Sequence, residues 1–161
     1  MRKFLILTFI ANLLLILASL WILPDQVAIH FHGGGTPDAW ASKWVNAIIF
    51  MAIQIPLFLL FISAGRLTLK MPVSWISLPN KEFWLKLENR AELETRFSTL
   101  MEEFGVVLFL LLFIVGLLTL DANLSDPVRL NEPLFLSFFI GFVLYVPYWL
   151  VKLFRRLKVP R

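Results

Sequence analysis

The sequence predicts an all-α membrane protein. Four transmembrane helices are expected, with an outward loop after the first and a cytoplasmic amphipathic helix before the third. Three observations carry this expectation. The chain of 161 residues is 59% hydrophobic and only 16% charged, where soluble domains carry about 25% charged residues. Apolar runs at 4–23, 44–64, 104–120 and 133–154 come close to the roughly 20 residues that cross about 30 Å of hydrocarbon. Finally, 13 of the 15 Lys and Arg residues lie in the N-terminus, the 65–103 segment and the C-terminal tail. By the positive-inside rule both termini and that segment are cytoplasmic, and the 24–43 loop faces outward. The whole chain, 1–161, reads as a single membrane domain.

In chain order, the run after Met1-Arg2-Lys3 exceeds the 7–15 residues of a signal-peptide core and offers only Ala18-Ser19 as a weak cleavage site, so a retained helix is expected. Asn12, mid-span, reads as a helix-contact residue. Pro24 ends this helix. In the loop, Val27 to His32 alternates apolar and polar side chains, a strand period that puts His30 and His32 on one face. Gly33-Gly34-Gly35 forces a turn, and Thr36-Pro37-Asp38 reads as a second turn or a short helix start. Trp40 and Trp44 are expected as interfacial anchors of the second span. Gln54 and Pro56 lie near its middle, Pro56 kinking the helix and Gln54 satisfying a local partner.

The 65–103 segment mixes both signs of charge and is broken by Pro72 and Pro79, with Asn80 as a candidate N-cap. Leu93, Phe97, Leu100 and Phe104 recur at helical spacing, predicting a helix along the membrane surface that turns into, or leads to, the third span. Gly105 and Gly116 in that span would admit a close neighbour. A short polar loop, 121–132, precedes Pro133 in the first turn of the fourth span, which Pro147 is expected to bend. The tail residues Lys152, Arg155, Arg156, Lys158 and Arg161 suit anionic lipid headgroups rather than nucleic acid.

Chemistry is sparse. The absence of cysteine excludes disulfides, thiolate catalysis and Cys-based zinc sites. His30 and His32 with Asp38 or Asp25 are candidate metal ligands. The simpler reading keeps His30 hydrogen-bonded within the loop and His32 at the surface, and a pH-sensing role is a third possibility. His32-Gly33-Gly34-Gly35 matches an oxyanion-hole motif of some esterases, but no G-x-S-x-G elbow accompanies it, so the match is read as coincidence. No P-loop, dinucleotide fingerprint or H-E-x-x-H is present, and none of the four apolar cores carries a charge.

Two motifs carry a family resemblance. Leu23-Pro24-Asp25, Ile29-His30-Phe31, Gly35, Pro37-Asp38, Trp40 and Ser42-Lys43 form the first, and Leu78-Pro79-Asn80-Lys81-Glu82-Phe83-Trp84-Leu85 the second. Together, over roughly residues 23–123, they resemble the bacterial membrane domain-of-unknown-function family numbered sixteen forty-eight, which includes the SdpI-type immunity protein. The resemblance implies a multi-pass protein of the bacterial cytoplasmic (inner) membrane, and for the immunity branch protection from a secreted toxic peptide coupled to a cytoplasmic regulator. The expectation is therefore a non-enzymatic protein without a cofactor that senses, or gives immunity to, an extracytoplasmic peptide or envelope component. Its expected outer contacts are His30, Asp38, Trp40 and Lys43, and Pro79, Asn80, Lys81 and Trp84 form the cytoplasmic family motif. Alternatives are a small transporter subunit or metal-dependent membrane enzyme using the outer histidines, and an accessory subunit of a membrane complex.

Overall fold

The computed structural model of the chain describes residues 1–159; Arg161 of the basic tail lies outside them. Among the described residues four helices are long and apolar enough to cross a membrane. Helix α1 covers Arg2–Ile22, and a hairpin of β1 (Gln26–Phe31) and β2 (Pro37–Ser42) leads into α2 (Lys43–Lys70). The short helix α3 (Lys81–Trp84) precedes α4 (Arg90–Leu124) and α5 (Glu132–Arg156). Local chemistry sets several boundaries. Ser42 caps α2 by accepting from the Val45 N–H at 3.3 Å, and Asn131 caps α5 by accepting from Leu134 at 3.2 Å, with Pro133 in the first turn where its missing N–H costs nothing. Helix α2 continues through Pro56 without a break.

Helix α4 is the hub. It packs against α1 and α2, while α5 packs mainly along α4. The centre of the three-helix core holds Leu5, Phe61 and Phe109, with Phe9 and Phe58 stacked at 4.1 Å between ring centroids. A β-carbon on Gly105 would lie 2.8 Å from Leu5 and 2.9 Å from Phe61, so the glycine sets how closely the helices approach. Asn12 holds α1 to α4 by donating its amide to the Phe109 carbonyl at 2.9 Å, the helix-contact role expected of it.

Three expectations need correction or refinement. The loop after α1 is an antiparallel hairpin, pairing Gln26 with Ser42, Val27 with Ala41 and Ala28 with Trp40, with a bulge before His30. The fold is therefore helical with a small sheet rather than all-α. The alternation of Val27 to Phe31 signalled the first strand, but the second begins at Pro37, whose ring suits the first position of an edge strand as well as a turn. Next, of the two arrangements expected for the Leu93, Phe97, Leu100, Phe104 stripe, the one found is a helix that runs straight on into the third span, with the stripe turned toward protein. The stripe belongs to the 35-residue α4 and packs into a cluster with Trp84, Trp149 and Leu157. An apolar stripe has the same period whether it meets lipid or protein, so periodicity alone could not decide.

The third concerns Asn80. It stands at the N-cap position of α3 as expected, but with a left-handed backbone, φ 55°, and without a side-chain capping bond. Its amide donates instead to the carbonyl of Leu157 at 2.9 Å, and the indole N–H of Trp84 donates to the same oxygen at 2.8 Å. Arg96 donates to the Arg156 carbonyl at 2.7 Å while its guanidinium sits 5.1 Å from the centre of the Trp84 ring. Carbonyls at a helix C-terminus lack intrahelical partners and carry partial negative charge; here three side chains from the inter-helix segment and α4 satisfy them. Replacing Trp84 by Phe removes one donor from a fully buried site and should cost about 1 kcal/mol, whereas Trp84→Ala should cost about 3–5 kcal/mol. Thermal unfolding in detergent would rank the two.

Candidate functional site at the hairpin

The hairpin is fixed to the helices at three places. At its edge, Ala28 is fully buried. The side chain of Asn123, near the end of α4, accepts from the Ala28 N–H at 2.7 Å and donates to the Ala28 carbonyl at 3.1 Å. A free strand edge presents unpaired backbone groups, and one amide side chain replaces the missing strand. At the tip, Gly34 and Gly35 take φ of 85° and 75°, a region open to glycine. The Gly34 N–H donates to Glu132 at 2.6 Å, Arg129 donates to the Gly34 carbonyl at 2.9 Å, and the Leu130 N–H donates to the Gly35 carbonyl at 2.8 Å. A β-carbon on Gly35 would collide with the Leu130 carbonyl. At the base, the Lys43 ammonium lies 3.1 Å from Asp25 and donates to the Leu23 carbonyl at 3.3 Å.

What remains exposed on the hairpin includes three of the side chains that carry its chemistry. His30 and Asp38 are both exposed and joined at 2.6 Å. The hydrogen bond from His30 holds the Asp38 carboxyl below its ordinary range, against a smaller opposing effect of desolvation. Trp40, two residues on along β2 and paired with Ala28 beyond the register shifts, is 51% exposed.

Residues 6–55 match the family described as Domain of unknown function (DUF1648). The family expected from the loop signature is thus found, over α1, the hairpin and the first half of α2. The match begins before the loop motif and ends before the second motif at 78–85, which falls outside the DUF1648 segment. No curated protein and no solved structure matches the chain.

Of the four outer residues singled out in the DUF1648 segment, the structure joins His30 to Asp38 and leaves Trp40 exposed elsewhere on the same hairpin. Lys43 is only 18% exposed and sits at the base, tied to Asp25. His32 is engaged locally, its ring meeting the Gly33 carbonyl at 2.7 Å and the Thr36 hydroxyl at 2.6 Å. Among the described residues no three His, Cys, Asp or Glu side chains group to hold a metal ion. In the second motif Asn80 and Trp84 cap α5, and Pro79 and Lys81 are half-buried beside them. Sequence reasoning missed Asn123, Arg129 and Glu132. Arg129 and Glu132 sit in a loop that reads as solvated. The one signal for Asn123 was a lone amide in the last turn of an apolar helix.

Asn123→Leu keeps the volume but leaves two buried backbone groups of Ala28 unpaired, at about 1–3 kcal/mol each. A lower melting temperature in detergent and faster proteolysis within 26–42 are the expected results. The Asp38 contribution has a defined sign, since its carboxylate is the favoured form in the folded hairpin. Its stabilising contact is complete above the ordinary aspartate pKa of 3.8 and is lost as the pH falls through the lowered value. Trp40 fluorescence should therefore show an acid transition below about pH 4 that is absent in Asp38→Asn.

Proposed function

We propose that this DUF1648 protein is a non-enzymatic recognition protein of the bacterial cytoplasmic membrane, whose hairpin faces outward and binds an extracytoplasmic peptide or envelope component. The observation that carries this reading is an exposed tryptophan and an exposed His30–Asp38 pair on one hairpin that is immobilised at edge, tip and base. A large aromatic accompanied by polar groups is the usual composition of a binding hot spot, and rigidity lowers the entropy lost on binding. None of the three side chains is needed to hold the hairpin to the helices. The outward orientation rests on the distribution of Lys and Arg. Immunity to a secreted peptide is one form of this role.

At the opposite end, Trp75 and Leu87 are 76% and 86% exposed, which suits a membrane interface or a cytoplasmic regulator docking on the segment between α2 and α4. Arg155, Arg156 and Lys158 are exposed at the end of α5 and suit anionic headgroups, at about 1 kcal/mol for each basic residue near the surface. Lys152 is paired with Glu103 and contributes less to that attraction.

Because the chain has no cysteine, single replacements report the orientation. Gly33→Cys should react with a membrane-impermeant maleimide in intact cells and Ser74→Cys only after permeabilisation; the reverse pattern removes the outward role. With secreted antimicrobial peptides labelled for anisotropy as probes, Trp40→Ala should weaken binding by about tenfold or more, and the membrane-facing control Trp21→Ala should leave it unchanged. Equal binding by wild type, Trp40→Ala and His30→Ala counts against the hairpin face as the site.

A further inference from the structure

Between α1, α2 and α4 the side-chain oxygen of Gln54 lacks the local partner expected for it, with no hydrogen bond among the described residues. The crevice beside it measures about 30 Å³, room for about two waters. Larger spaces lie along the seam between α4 and α5. One, of about 190 Å³, is an apolar groove within the spans and carries no charged side chain among the described residues. The other, of about 210 Å³, lies where α5 finishes and is lined by Arg96, Lys152, Arg156 and Glu103 among others. The two spaces are in series. On α4 their walls follow one stripe, Thr95, Thr99, Glu103, Val107, Leu111 and Ile114, at the three- and four-residue spacing of a single helix face. On α5, Gly141, Tyr145, Lys152 and Arg156 do the same. From Leu111 to Thr99 is about 18 Å along the axis at 1.5 Å per residue, close to the roughly 15 Å that makes half of the hydrocarbon core.

We propose that the α4–α5 seam is a binding site for one anionic membrane phospholipid, its acyl chain in the groove and its phosphate at Arg156. The charged end decides the class of lipid. Glu92 holds Arg96 at 2.5 Å and Glu103 pairs with Lys152, which leaves Arg156 as the cation in excess. Arg96 binds the backbone carbonyl of Arg156, fixing the turn whose side chain is exposed. The Thr95 and Thr99 hydroxyls donate to carbonyls within α4, so the guanidinium carries the phosphate contact, for which its two parallel N–H donors are suited. One uncompensated positive charge matches one phosphodiester. A zwitterionic headgroup would bring a second cation against it. The site rests on the headgroup attraction proposed above for the end of α5 and narrows it to one place; it does not depend on what the hairpin binds.

The test is native mass spectrometry of the full chain in detergent, with dioleoylphosphatidylglycerol and dioleoylphosphatidylcholine as probes. One phosphatidylglycerol per chain should be retained in preference to phosphatidylcholine. Arg156→Gln should lower that retention by about fivefold, as expected for one basic residue at a headgroup, and Arg156→Lys should keep most of it. Arg155→Gln removes the same charge from a side chain outside the pocket and should leave retention unchanged. An equal loss in both glutamine variants would keep the diffuse attraction and overturn the site, and no loss in either would overturn both. A β-carbon on Gly141 meets nothing within 4 Å, so Gly141→Leu occupies the groove without displacing backbone and should weaken retention at unchanged helical content. Glycerol 3-phosphate carries the charge without the chains and should not compete; competition by it would assign the pocket to a soluble phosphoester and overturn the proposal. Equal retention of the two lipids overturns it as well.

Discussion

The contact on which the architecture most depends is the reciprocal pair of hydrogen bonds between Asn123 and the backbone of Ala28. A two-stranded hairpin is marginal by itself in water; this one persists because its inner edge is completed by a side chain projecting from the longest helix. Everything else at that end follows from the contact. Once Ala28 is fixed, Val27 is buried over the helix ends, the glycine tip reaches the α4–α5 connection, and His30, Asp38 and Trp40 are left to solvent. The hydrogen bonds to Arg129 and Glu132 add to this anchor, from the exposed α4–α5 connection and the first residue of α5.

The far end of the bundle solves a related problem by a similar device. Helix α5 packs chiefly along α4, and most of its surface faces outward, so packing alone holds it weakly. Its final carbonyls are bound by Asn80, Trp84 and Arg96, and Trp149 donates to the Leu100 carbonyl at 3.0 Å. In both places polar side chains meet backbone groups that the secondary structure leaves unpaired. In a membrane environment, where helix association gains little from the hydrophobic effect, such bonds supply much of the specificity.

Particular residues show how far the sequence could be read. The spans were legible because hydrocarbon thickness dictates their length, and Asn12 because a single amide in an apolar run has few other uses. Strand β1 was legible from its alternation. Strand β2 was not, since Pro-Asp-Ala-Trp-Ala-Ser carries little periodic contrast and its pairing depends on partners across the turn, between Phe31↔Pro37 and Gln26↔Ser42. The exposed residues His30, Asp38 and Trp40 could be named from residue type, but separating Lys43 from them required knowing that Asp25 and the Leu23 carbonyl lie within reach. Asn123 and Gln54 illustrate the opposite limit: both are lone amides at helix positions, and only three-dimensional packing shows one fully bonded and the other not.

Helix α4 is 35 residues long, or about 52 Å at 1.5 Å per residue, well beyond the hydrocarbon thickness of about 30 Å. It carries Asn123 at one extremity and Arg96, beneath the Trp84 ring, near the other. A continuous rod of that length behaves as a lever: tilting it by about 10° around its middle displaces the extremities by about 4–5 Å in opposite directions. The grip on the sheet and the grip on the final turn of α5 are thereby mechanically geared, and neither end can be repositioned while the other keeps its alignment.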